Sequence, residues 1–85
     1  MAAVTTNLWE LGVGSSARIK THDNSPENAA MRRRLMDIGF TEGTEVKCVL
    51  VAPSGEPKAY LVRGSVIALR REDAQLIETA ARTLQ

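Results

Sequence analysis

Apolar positions in this chain change period twice, from two to nearly four and back to two. Leu8 and Leu11 lie three apart behind Asn7, which suits one helical turn with an asparagine cap. From Ala17 to His22 the pattern alternates. Ala17, Ile19 and Thr21 share one face, and Arg18, Lys20 and His22 share the other, as in a half-buried strand. Met31, Leu35 and Ile38 then recur at i, i+4 and i+7, the stripe of an amphipathic helix over about 26–38. Ser25 is placed to cap it and Pro26 to occupy its first position. Gly39 supplies a left-handed residue past its end, and Phe40 falls where contact with Leu35 closes a Schellman motif.

Period two returns after Gly43. Thr44 to Ala52 is largely β-branched, with Val46, Cys48 and Leu50 on one face. Pro53-Ser54-Gly55-Glu56-Pro57 cannot continue a ladder and reads as a loop. Lys58 to Arg63 is a further strand, with Ala59 and Leu61 on one side and Tyr60 and Val62 on the other. Gly64 marks a tight turn, and Ser65 to Arg70 is a strand with Ile67 and Leu69 together. Arg71 to Ala74 makes a short helical turn, Leu76 to Thr79 a last strand, and Ala80 to Gln85 frays. Gly14 and Gly43 each precede a strand where a type II turn wants positive φ. Five short antiparallel strands with tight turns tend to close, which removes exposed edges. The expected fold is mainly β: a small SH3-like β-barrel of about five strands with one inserted α-helix and short helical turns. It occupies residues 8–79, with 1–7 and 80–85 as terminal extensions.

Composition narrows what such a fold can do. The 85 residues carry 11 Lys+Arg against 10 Asp+Glu, a formal net charge of +1. One domain of this size buries only about 60–65% of its unfolded surface, leaves little wall for a deep pocket, and has a net stability of about 4–13 kcal/mol. No stretch approaches the roughly 20 apolar residues of a membrane span. The start carries no basic, apolar signal pattern, and a lone thiol fits a reducing, cytosolic setting.

Catalytic chemistry finds few candidates. Cys48 and His22 are the sole cysteine and histidine, and alternation sends Cys48 to the core and His22 to a solvated strand end, so they do not form a dyad. Two such ligands in one chain fall short of a structural zinc site. The glycines form no phosphate cradle. No cofactor, catalytic set or metal ligand is therefore assigned. A weak Fe²⁺, Mn²⁺ or Zn²⁺ site on surface carboxylates, or on His22 across a dimer, stays open, as does a homo-oligomer.

The cations are segregated. Arg32-Arg33-Arg34 flank the helical stripe, and 57–71 holds Lys58, Arg63, Arg70 and Arg71 with no acid. The plain reading is solvated charge; the functional one is a docking surface. Nucleic acid is disfavoured by the ten acids and by only three aromatics, Trp9, Phe40 and Tyr60.

The order of residues adds a resemblance. Arg34-Leu35-Met36-Asp37-Ile38-Gly39-Phe40 followed by Glu42-Gly43-Thr44-Glu45-Val46 resembles the helix-turn-strand signature of the ferrous iron transport protein A (FeoA) family. Ala52-Pro53-Ser54-Gly55-Glu56-Pro57 is similar to its loop, and Arg63-Gly64, Ile67 to Arg71, Asp73-Ala74 and Ile77 to its closing strands. The resemblance runs over about 8–79. It implies an SH3-like barrel and a non-enzymatic accessory module of bacterial ferrous iron uptake. The implied partner is the cytoplasmic part of the membrane GTPase transporter FeoB, with the chain cytoplasmic and peripheral to the inner membrane. Candidate docking residues are Arg32, Arg33 and Met36 on the helix, with Pro53, Pro57 and Lys58 as a second patch. The alternatives are a nucleic-acid-binding small barrel and a metal-linked regulatory domain.

Overall fold

The computed structural model describes residues 5–81. Six strands form one antiparallel sheet: β1 (Thr5–Asn7), β2 (Ser16–His22), β3 (Glu45–Val51), β4 (Lys58–Val62), β5 (Ser65–Leu69) and β6 (Ile77–Ala81), in the order β1-β6-β2-β3-β4-β5. The helix α1 (Ala29–Ile38) is inserted between β2 and β3, and the single turn α2 (Arg71–Ala74) follows β5. This is the expected mainly β fold with one inserted helix, and it has one strand more than the five expected. Residues 5–7, read as part of an extension, pair with 78–80. Three residues are too few for alternation to reveal, so only the partner strand shows that they are extended. Ala80 and Ala81 likewise belong to β6 and do not fray, whereas the rest of the expected C-terminal fraying lies outside the described residues.

The sheet rolls around Leu8, Ile19, Leu35, Phe40, Val46, Cys48, Tyr60, Val62 and Ile77, all buried. Its two end strands, β1 and β5, do not pair with each other. The opening is bridged by the 3-10 turn Leu8–Glu10, which touches α2 and receives the Tyr60 hydroxyl on the Leu8 carbonyl at 3.3 Å. Asn7 caps that turn as expected, its Oδ1 accepting from the Glu10 amide at 3.2 Å.

The helix ends as its sequence specifies. Gly39 has φ +130°, and the Phe40 and Gly39 amides donate to the Leu35 and Met36 carbonyls at 3.0 and 3.1 Å, the two bonds of a Schellman motif. Its start differs from expectation. Residues Pro26–Asn28 form a separate 3-10 turn, and the Ser25 side chain makes no capping bond. Asp23 organises the connection. Its Oδ1 accepts from the Ser25 amide at 2.7 Å and its Oδ2 from Asn28 Nδ2 at 3.3 Å. Ile38, expected on the buried stripe, is 40% exposed, so Leu35 is the helix's one fully buried side chain, with Met31 packed beside it.

Two β-bulges break the alternation that the sequence suggested. In β2, Ile19 pairs with Thr79 and Thr21 with Glu78, so the strand register skips Lys20. Ile19 also exchanges backbone bonds with Gly43 and Thr44. The slip puts His22 inside, with 8% exposure, correcting its reading as a solvated strand end. In β3 the register skips Val49, and Leu50, expected inward with Cys48, is 60% exposed. Here Cys48 exchanges bonds with Gly14 and Ser15. Cys48 itself is a buried core thiol, as expected.

Candidate docking surfaces

The residues singled out from sequence fall on two separate grooves. Arg32, Arg33 and Met36 line a shallow one with Ala29, Ala30 and Asp37, along the outer face of α1. Helical spacing makes this face: 29, 32, 33 and 36 are three or four apart, and the opposite side is held down by Leu35. Met36 is 44% exposed and Arg33 is exposed, so both side chains face solvent. Arg32 is half-buried and already engaged, its guanidinium donating to the Asp23 carbonyl at 2.6 Å. It braces the β2–α1 connection.

Pro53, Pro57 and Lys58 line the second groove, with Leu50, Val51, Ala52, Ala59 and Ala68. The bulge at Val49 builds it, because the slip turns Leu50 outward beside Ala59. Lys58 is a brace here too. Its Nζ donates to the Trp9 carbonyl at 2.6 Å and the Leu11 carbonyl at 3.2 Å, and sits 4.6 Å from the Trp9 ring centroid. The Arg71 guanidinium lies 5.6 Å from the same centroid, so Trp9 is flanked by two cations and half-buried. Glu56, in the loop between the prolines, accepts from the Arg71 amide at 2.6 Å and so tethers the loop to α2.

Sequence reasoning missed the apolar outer face of β3, β4 and β5. Leu50, Leu61 and Val66 are 60%, 38% and 61% exposed there. Leu61 and Val66 are cross-strand partners, a pairing that alternation within each strand does not give, and the bulge that adds Leu50 has no signal in the sequence. It also missed the surroundings of His22. Its Nε2 lies 2.6 Å from the Phe40 carbonyl oxygen and its Nδ1 is buried without a partner.

Electrostatics set two groups apart. Hydrogen bonds from Ser25, side chain first and amide second, hold the Asp23 carboxyl below its ordinary 3.8. Burial, with a smaller contribution from Cys48, pushes the Tyr60 phenol above its usual range, so it stays a neutral donor. Among the described residues no group of three or more His, Cys, Asp or Glu side chains is placed to hold a metal ion. None of the described helices is long and apolar enough to cross a membrane.

Comparison with known proteins agrees with this architecture. Over 71 residues the chain is 34% identical to the Fe(2+) transport protein A/Fe(2+) transporter FeoB fusion protein of Porphyromonas gingivalis, a match covering 84% of this chain and 8% of that relative. The solved FeoA of Stenotrophomonas maltophilia, a zinc complex described as a prokaryotic SH3 domain protein, is 33% identical with a TM-score of 0.79. The match covers 87% of this chain and 88% of that one. The FeoA protein of Chlorobium tepidum is 32% identical, also with a TM-score of 0.79, over 92% of this chain and 71% of its own. The FeoA domain model matches residues 6–80, and with the SH3-like sheet shared by these relatives this shows that the chain belongs to the FeoA family of small, non-enzymatic accessory domains.

Proposed function

We propose that this chain is an accessory module of bacterial ferrous iron uptake that docks, on the cytoplasmic side of the membrane, onto a FeoB-type transporter. The observation that carries the reading is the fused relative, in which a matching segment and the transporter share one polypeptide. A tether raises the effective concentration of two modules that must meet. The S. maltophilia relative is described as a candidate activating factor of bacterial ferrous iron transport, which fits a role exercised through contact.

The docking face we assign is the outer side of α1, centred on Met36 and Arg33 with Arg32 beside them, with the Pro53–Pro57 loop as a separate second patch. A bulky apolar group beside an arginine is the usual make-up of an interface hot spot. Because Arg32 and Lys58 brace the fold, Met36 and Arg33 are the positions to perturb. The test is a pull-down of the cytoplasmic domain of a FeoB-type transporter by the full chain and by an Arg33→Glu/Met36→Ala double variant. Retained circular dichroism together with at least tenfold weaker capture is the expected result. Undiminished capture by a folded double variant removes α1 from the interface, and no capture by the unaltered chain removes the reading.

A further inference from the structure

One end of the strand order is β5. The β4–β5 hairpin closes through Arg63 (φ +49°) and Gly64 (φ +81°), a two-residue loop with both central residues left-handed. Such a loop makes Val62 and Ser65 a hydrogen-bonded pair, and alternation then makes Tyr60–Ile67 and Lys58–Leu69 hydrogen-bonded pairs as well. The backbone N–H and C=O groups of Val66 and Ala68 therefore point away from β4. β5 ends the strand order, and among the described residues nothing bonds to those four groups.

Beside this edge lies the apolar face of Leu50, Leu61 and Val66, continuous through Ala68 with the Pro53–Pro57 groove. Its surroundings are basic. Lys47 stands next to Leu61 in the register, Arg63 and Arg70 bracket the two ends of β5, and 57–71 contains no acid. The nearest acids in sequence are Glu72 and Asp73 on α2 beyond Arg71, and on the other side Glu56 in the loop, which is occupied by the Arg71 amide. The arginines at both ends of β5 also speak against a second copy of this chain. Antiparallel self-pairing would bring Arg63 and Arg70 of the two copies together, a like-charge contact that disfavours it.

We propose that the β5 edge accepts, as an added strand, an extended segment of a partner protein in which acidic and apolar residues alternate. Main-chain bonds to Val66 and Ala68 would supply affinity, the apolar face would take alternate side chains, and the arginines would select the acids. This deepens the docking reading, on which it rests, by naming the chemistry of one partner segment.

The test uses the full 85-residue chain, labelled with ¹⁵N, and a nine-residue synthetic peptide of alternating glutamate and valine. A peptide of alternating lysine and valine is the control. Expected are saturable amide shifts below about 1 mM peptide, centred on residues 65–70 and on Leu50 and Leu61, with slower exchange of the Val66 and Ala68 amides. The lysine peptide should produce none. Val66→Glu, at an exposed position, should keep the spectrum dispersed and weaken binding about tenfold by setting like charge against the peptide. Val66→Thr, still β-branched, should bind nearly as well. No shifts, shifts centred on α1, or equal binding of the lysine peptide would overturn the proposal. Capture of the transporter domain is read separately, so a chain that captures it but ignores the peptide retires this inference and leaves the docking reading standing.

Discussion

Lys58 is where a docking residue and a brace can be told apart. Replacing it by methionine keeps the aliphatic stem and removes the ammonium. The loss comprises hydrogen bonds to the Trp9 and Leu11 carbonyls, at 2.6 and 3.2 Å, and a cation 4.6 Å from the Trp9 ring. A shielded hydrogen bond from a charged donor contributes about 1.5–3 kcal/mol, and an exposed cation–π contact about 0.5–1 kcal/mol. Lys58 is only half-buried, so water re-solvates part of what the ammonium leaves, and about 2 kcal/mol remains. With an m-value of about 1 kcal/mol/M for so small a domain, the urea midpoint should fall by about 2 M. The melting temperature should fall by about 8–16 °C. Trp9 is the sole tryptophan, so its fluorescence follows the transition, and its native emission should shift to longer wavelength as the flanking cation is lost. A midpoint within about 0.3 M of the unaltered chain, combined with weakened partner capture, would refute the bracing argument.

Two further outcomes follow from the geometry. Gly39→Ala places a Cβ 3.3 Å from Arg63 Cδ at a residue with φ +130°, and should lower unfolding free energy by about 1–2 kcal/mol, read by urea denaturation; an unchanged midpoint would refute it. Asp23 has its folded pKa held below the ordinary 3.8, so its contribution is complete above that value and disappears as pH falls through the folded one. The stability gap between the unaltered chain and Asp23→Asn should therefore close as pH is lowered from about 5 toward 2, and a gap independent of pH would count against the Ser25 bonds as its cause.

Much of the fold was legible because local rules and tertiary packing agree. The stripe through Leu35 and the Gly39-Phe40 ending fix the helix and its stop. The alternation of Tyr60 with Leu61 sorts the two faces of β4. What stayed hidden depends on partners distant in the chain. β1 is extended only because β6 lies beside it. The faces of His22 and Leu50 are inverted by slips that lie beside the turns at Gly43 and Gly14, which bond to Ile19 and Cys48 from a distant part of the chain. The candidate site was half legible for the same reason. Arg33 and Met36 were found by helical spacing. The double use of Arg32 and Lys58 as internal donors to the Asp23, Trp9 and Leu11 carbonyls needed three-dimensional neighbours to appear.

The two skipped residues, Lys20 and Val49, are each the difference between one wall of the molecule and its inside. Were Val49 to pair in register instead of being skipped, strict alternation would carry Leu50 to the inward face of Cys48, where Cys48 and Tyr60 are already fully buried. The groove beside Pro53 would lose a wall in the same stroke. The outer surface of this small sheet thus hangs on where β3 slips against β4, so moving that slip by one residue would re-sort which side chains face outward with the sequence unchanged.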